Sequence, residues 1–150
     1  LPDVVTIAKG VASGMPAGMC ADRADVAASF APGDHGSTFG GSNLAVVAAQ
    51  ATLCTLADEG FGERVERVGA YLRVRLAELP HVVEVRGLGL MVAADLAEGV
   101  DANDVVLRAL GEGLVINATG PHTLRFLPPL VCEEQHVDQL VERLSRLLGA

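Results

Sequence analysis

The sequence predicts an α/β chain in two parts: the tail end of a larger layered domain, then a compact α+β unit. Three observations carry this expectation. Roughly the first 60 residues hold one β-branched run, a long Gly-rich stretch and one Ala-rich helix pattern, too little to close a core alone. A helix-period stripe follows and stops at Pro80. Beyond it, short apolar runs of strand type are interleaved with two further helix patterns.

The elements follow in order. Val4 to Ala8 reads as a strand that stops at Lys9-Gly10. Gly14, Pro16 and Gly18 mark a loop, and Asp22 is positioned to cap a short helix through about Phe30. Pro32 to Gly41 is a turn cluster with Ser42 as a candidate N-cap. Leu44 to Leu56 is apolar nearly all round, which predicts a helix buried on every side. Gly60 and Gly62 break it. Glu63 to Leu79 carries Val65, Val68, Leu72, Leu76 and Leu79 on one stripe. Val82 to Val85 and Leu88 to Asp95 read as strands around Arg86-Gly87. Asp101 opens a helix to about Glu112, Leu114 to Asn117 reads as another strand, and Leu124 to Leu127 is a short apolar run stopped by Pro128-Pro129. The last helix, Glu133 to Leu148, has one apolar face. The domain division expected is 1–62 and 63–150, with no repeat or low-complexity tract.

Composition excludes several function classes. Half the residues are apolar, which argues against a disordered chain. The formal net charge is −8, with no basic run to meet nucleic acid. The one long apolar stretch, Leu44 to Ala57, is too short to span a membrane. Cys20, Cys54 and Cys132 are odd in number and far apart, so neither a disulfide framework nor a zinc site is indicated, and reduced thiols in a cytoplasmic protein are expected. The chain begins Leu-Pro-Asp rather than with Met, which suggests that sequence precedes it.

Three features could carry chemistry. Ten of the eleven cations are arginine, and the single lysine is Lys9. A lysine at a strand end beside a Gly/Pro loop can be held in a cleft, where a partly desolvated amine can form a Schiff base with a carbonyl. Most lone lysines are simply solvated. The Gly33 to Gly41 loop holds four glycines and two hydroxyls in nine residues before a helix start, a composition that suits an anion such as phosphate but also an ordinary turn. Arg125 sits inside an apolar strand run, where its planar fork could meet a substrate carboxylate or a structural one. The four histidines show no ligand spacing, and Ser37 has no evident triad partner, so no metal is expected.

These pieces, in this order, resemble the C-terminal part of the fold-type I, class-III pyridoxal-phosphate aminotransferases, most nearly their acetylornithine aminotransferase branch. The resemblance runs over essentially the whole chain. Its marks are Pro2 to Gly10 (PDVVTIAKG), Pro32 to Gly41 (PGDHGSTFGG), Val85 to Met91 (VRGLGLM) and Leu124 to Leu130 (LRFLPPL). Ser42-Asn43 departs from the Asn-Pro usual after the two glycines.

The resemblance implies a fold and a set of roles. Residues 1–62 would be the C-terminal end of the large cofactor domain and 63–150 the small C-terminal domain. Lys9 would be the catalytic lysine that bonds the cofactor and shuttles a proton. Thr38 would bind the cofactor phosphate across a homodimer interface, into the partner's site. Ser37 would touch substrate, and Arg125 would hold the α-carboxylate. The substrates implied are a small amino acid and a 2-oxo acid, in arginine biosynthesis. The family's acidic partner for the pyridine nitrogen lies N-terminal to this segment, so the 150 residues alone are expected to be inactive. Ornithine, succinylornithine and 4-aminobutyrate aminotransferases remain alternatives, as does a non-catalytic truncated domain.

Overall fold

The computed structural model describes residues 1–149 and forms two compact units, Leu1–Phe61 and Gly62 onward. In the first unit, β1 (Val4–Ile7) pairs antiparallel with β2 (Met19–Asp22), Val4 opposite Asp22 and Ile7 opposite Met19. The ribbon's open end is tied by Arg23, whose Nη1 donates to Asp3 at 2.6 Å and Nη2 to Asp25 at 2.7 Å. Between the strands lies a 3-10 turn at Lys9–Ala12. Then come α1 (Ala24–Ala27) and α2 (Asn43–Leu56).

The Gly14 to Gly18 loop stands as expected and leads into β2, a strand the sequence pattern does not announce, because the partner β1 supplies the hydrogen bonds that Met-Cys-Ala-Asp does not demand by propensity. Four expectations for this unit are corrected. Asp22 therefore lies in β2 and caps nothing; Arg23 holds the N-cap position. The helix after it is a single turn, since Ser29 and Phe30 donate to carbonyls three residues back and tighten the chain out of α geometry. Ser42 occupies the N-cap of α2, but its hydroxyl makes no capping bond. The fourth correction concerns burial. Of α2 only Ala49 is buried, while Leu44 and Val47 are 64% and 63% exposed. Among the described residues, the small cluster that α2 joins through Ala49 holds only Val11 and Ala12 as further buried residues, with Met15 and Ala17 partly buried against it.

The second unit is a two-layer α+β sandwich. Its helices are α3 (Phe61–Ala77), α4 (Ala102–Gly111) and α5 (Glu134–Leu147). Its strands are β3 (Val82–Leu88), β4 (Met91–Leu96), β5 (Asn117–Gly120) and β6 (Thr123–Phe126). They form an antiparallel sheet of order β3-β4-β6-β5. The helical stripe read from the sequence packs here: Val68, Leu72 and Leu76 meet Val137, Val141 and Leu144 of α5 and Val92, Ala94, Leu124 and Phe126 of the sheet in one core. Each such buried aliphatic side chain contributes about 1.5–3 kcal/mol.

The caps in this unit match their residues. Asp101 accepts from the Asn103 N–H at 2.8 Å at the start of α4. Glu133 and His136 form a reciprocal capping box on α5. Two expectations shift. Arg86 and Gly87 lie within β3, and the reversal comes at Gly89-Leu90. Leu114 to Ile116 is coil, with the strand beginning at Asn117: the run packs Leu114 and Ile116 against the core without ladder partners and leaves Val115 exposed.

Candidate functional site

Lys9 leaves the end of β1 with φ +56°, in the left-handed region. A side-chain-bearing residue there costs about 1–2 kcal/mol, and glycine would relieve it. Only Ser13 and His81 share this property among the described non-glycine residues, and Ser13 closes the same 3-10 turn that Lys9 opens. The Lys9 side chain is exposed and makes no hydrogen bond or ion pair among the described residues. An open amine on a strained backbone is consistent with a positioned functional group rather than with a position chosen for the backbone alone.

The Gly-rich loop sits before α2. Gly41 has φ +69°, and the Ser42 N–H donates to the Phe39 carbonyl at 3.2 Å. Gly40 is confined by Ser37: a Cβ at Gly40 would stand 3.1 Å from the Ser37 Cβ. The hydroxyls of Ser37 and Thr38 carry no hydrogen bond among the described residues. Ser37 lines a cavity of about 950 Å³ with His35, Phe39 and the Ala45, Val46, Ala49 face of α2. Lys9 and Thr38 do not line it. The Ser37 and Thr38 hydroxyls and the uncapped first turn of α2 are donors of the kind a phosphate takes, and the free Lys9 amine is the kind a carbonyl takes, but the cavity at Ser37 takes in neither Lys9 nor Thr38, so this chain does not bring the two together in it.

In the second unit Arg125 lies on β6 between Leu124 and Phe126, which are buried on the helix side. Strand alternation turns Arg125 to the sheet's open face, where it is exposed. Cross-strand register sets Arg86, Ala93, Arg125 and Asn117 in one row across all four strands. Arg86 is neutralised: both terminal nitrogens reach Asp95, and Glu84 lies 3.7 Å away. The hydrogen bond and charge of Arg86, with a bond from Thr123 at 2.7 Å, hold the Asp95 carboxyl below the usual carboxylate range. Among the described residues Arg125 makes no ion pair; its Nε–H donates to the Asn117 side-chain oxygen at 3.1 Å. A guanidinium with charge unneutralised and terminal nitrogens open suits a carboxylate ligand.

Sequence reasoning missed Asn117, His35 and Phe39. The sequence pattern puts Asn117 at the end of a strand, whereas it starts β5, and only the β5–β6 register shows that it faces Arg125. His35 and Phe39 stood within the loop, but no sequence pattern told which of its side chains would face a cavity. Among the described residues no three His, Cys, Asp or Glu side chains converge as a metal site, and no single helix is long and apolar enough to cross a membrane.

Known proteins match this architecture. The aminotransferase class-III family model matches residues 1–148. Acetylornithine aminotransferase from Caldanaerobacter subterraneus is 41% identical over 99% of this chain, and that from Aquifex aeolicus 42% over 98%. Each match takes in 38% of the relative's length, so the chain spans well under half of the curated relatives it matches. Among solved structures, ornithine aminotransferase from Toxoplasma gondii superposes with a TM-score of 0.86 at 34% identity, over 98% of this chain and 37% of that one. N-acetylornithine aminotransferase from Stenotrophomonas maltophilia gives 0.84 at 32%, over 99% and 40%. The family match over nearly every residue, joined to the mixed α/β architecture, settles the membership: the chain belongs to the class-III aminotransferases.

Proposed function

We propose that this chain is the C-terminal portion of an acetylornithine:2-oxoglutarate aminotransferase serving arginine biosynthesis, with residues 1–62 ending its large domain and 63–150 forming its small one. The observation that carries the proposal is Lys9: the sole lysine, left-handed at a strand end, with its amine unpartnered. The names of the curated relatives favour acetylornithine as the amino donor. The structural likeness to ornithine aminotransferases keeps ornithine as a second reading.

The family depends on pyridoxal phosphate, which when bound supplies an aldehyde and an electron-withdrawing ring that stabilises charge developing on the substrate carbon. Lys9 then has two tasks. Its Nζ would hold the cofactor, and the same amine would be the base that moves a proton from the substrate carbon. Thr38 donates its hydroxyl to the phosphate, from one protomer of a cytoplasmic homodimer into the other's site. Ser37 borders the substrate, and the Arg125 guanidinium holds the α-carboxylate so that the reacting bond is fixed in place. Residues 1–150 alone are proposed to be catalytically silent, since the acidic partner for the ring nitrogen that the family resemblance calls for is not among them.

A chimera tests the assignment. Residues 1–150 replace the matching region of the Caldanaerobacter enzyme, and the amino donors are profiled. Acetylornithine turnover with loss on Lys9→Arg supports the proposal; preference for ornithine, succinylornithine or 4-aminobutyrate moves the assignment to that relative. Absence of transamination in a folded, cofactor-treated chimera favours a non-catalytic domain.

A further inference from the structure

The two arginines on the open sheet face stand either side of Ala93 in one register row, yet they are partnered by different chemistry. Arg86 is met by the carboxylates of Asp95 and Glu84. Arg125 is met by an amide: Asn117 lies directly opposite it on β5, and its side-chain oxygen accepts the Nε–H at 3.1 Å. Ala93 between them is too short to reach either head group.

A guanidinium offers a carboxylate two edges, one through Nε and one terminal nitrogen, the other through both terminal nitrogens. The Asn117 oxygen occupies the first edge. Only the terminal edge stays open, and the neutral amide leaves the full positive charge in place. A carboxylate at position 117 would make the same hydrogen bond and cancel that charge, as Asp95 does for Arg86.

We propose that Asn117 is the positioning residue for Arg125: it blocks the Nε edge without neutralising the guanidinium, so an incoming carboxylate is taken end-on by the two terminal nitrogens. The proposal rests on the reading that Arg125 binds the substrate carboxylate. It adds the direction of approach and the reason for an amide rather than an acid at position 117.

The test uses the full 150-residue chain and glutarate as the probe, followed by the NMR signals of the Arg125 side-chain nitrogens. Wild type gives saturable shifts at the terminal nitrogens with little change at Nε. Asn117→Asp is isosteric and keeps the hydrogen bond, so a merely structural role leaves binding unchanged. The proposal predicts that it weakens glutarate about tenfold or more through the lost charge. Asn117→Ala weakens it several-fold and spreads the shifts onto Nε. If Asn117→Asp binds within about twofold of wild type while Arg125→Met abolishes binding, the role of Asn117 is wrong and that of Arg125 stands. If wild type gives no saturable response, or Arg125→Met leaves it unchanged, the reading of Arg125 itself fails.

Discussion

Gly69 in α3 lies against Gly89 in the β3–β4 reversal so closely that a Cβ on Gly69 would stand 2.1 Å from the Gly89 carbonyl oxygen. Neither partner can yield cheaply, because the contact is with backbone. Gly89 is itself left-handed at φ +52°, and its carbonyl accepts from Arg73 Nη1 at 3.2 Å. Gly69→Ala must therefore lift α3 from the reversal. The expected loss is about 3 kcal/mol or more, read as a drop in urea midpoint for the second unit. A loss under about 1 kcal/mol contradicts the close approach.

That contact explains why part of the fold was legible and part was not. The run Val85 to Met91 carried family resemblance, and packing gives the cause. A Cβ at Gly87 would lie 2.2 Å from the Met91 carbonyl, and Gly89 needs its left-handed turn under α3. The α3 stripe was legible because Val68, Leu72 and Leu76 repeat at helical spacing and all meet one core. Gly69 was not, since a glycine inside a helix pattern shows no partner until the sheet is present. In the first unit the apolar run of α2 predicted burial that its small cluster does not supply. At the site, Lys9 and Arg125 stood out by residue type, whereas Asn117 depends on a strand register that sequence periodicity does not fix.

Lys9 keeps a backbone conformation that glycine accepts more readily. Lys9→Gly is expected to be more stable than Lys9→Ala by about 1 kcal/mol, measured by equilibrium unfolding of the chain. Equal stability of the two variants would mean that the strain at this position is absent in solution.

The Asp95 carboxyl is held below its ordinary value by the Arg86 hydrogen bond and then by that from Thr123. A lowered folded value means that the stabilisation is present above the ordinary aspartate value of about 3.9 and is lost as pH falls through the folded value. Asp95→Asn removes it. Urea midpoints of wild type should exceed those of Asp95→Asn near neutral pH, and the gap should close on acidification below about pH 4. Parallel curves across that range would remove Asp95 from the account of acid stability.

Burial pushes the Cys132 thiol above its usual value, while Cys20 and Cys54 are exposed. Thiolate is the reactive form. Iodoacetamide at mildly alkaline pH is therefore expected to modify Cys20 and Cys54 first, with Cys132 lagging by about tenfold in a peptide map. Modification of Cys132 at the same rate as the other two would place it in a more open setting than its packing against the core implies.

The central claim is that Lys9 is the cofactor's lysine, and it is direct to test in the 150-residue chain, where Lys9 is the single lysine and its Nζ competes only with that chain's own terminal amine at Leu1. The chain is mixed with pyridoxal phosphate, reduced with borohydride, digested and mapped by mass. The account predicts a saturable phosphopyridoxyl label on Lys9, formed faster than on N-acetyl-lysine under the same conditions. A label confined to Leu1, or one on Lys9 no faster than on the free model amine, contradicts it.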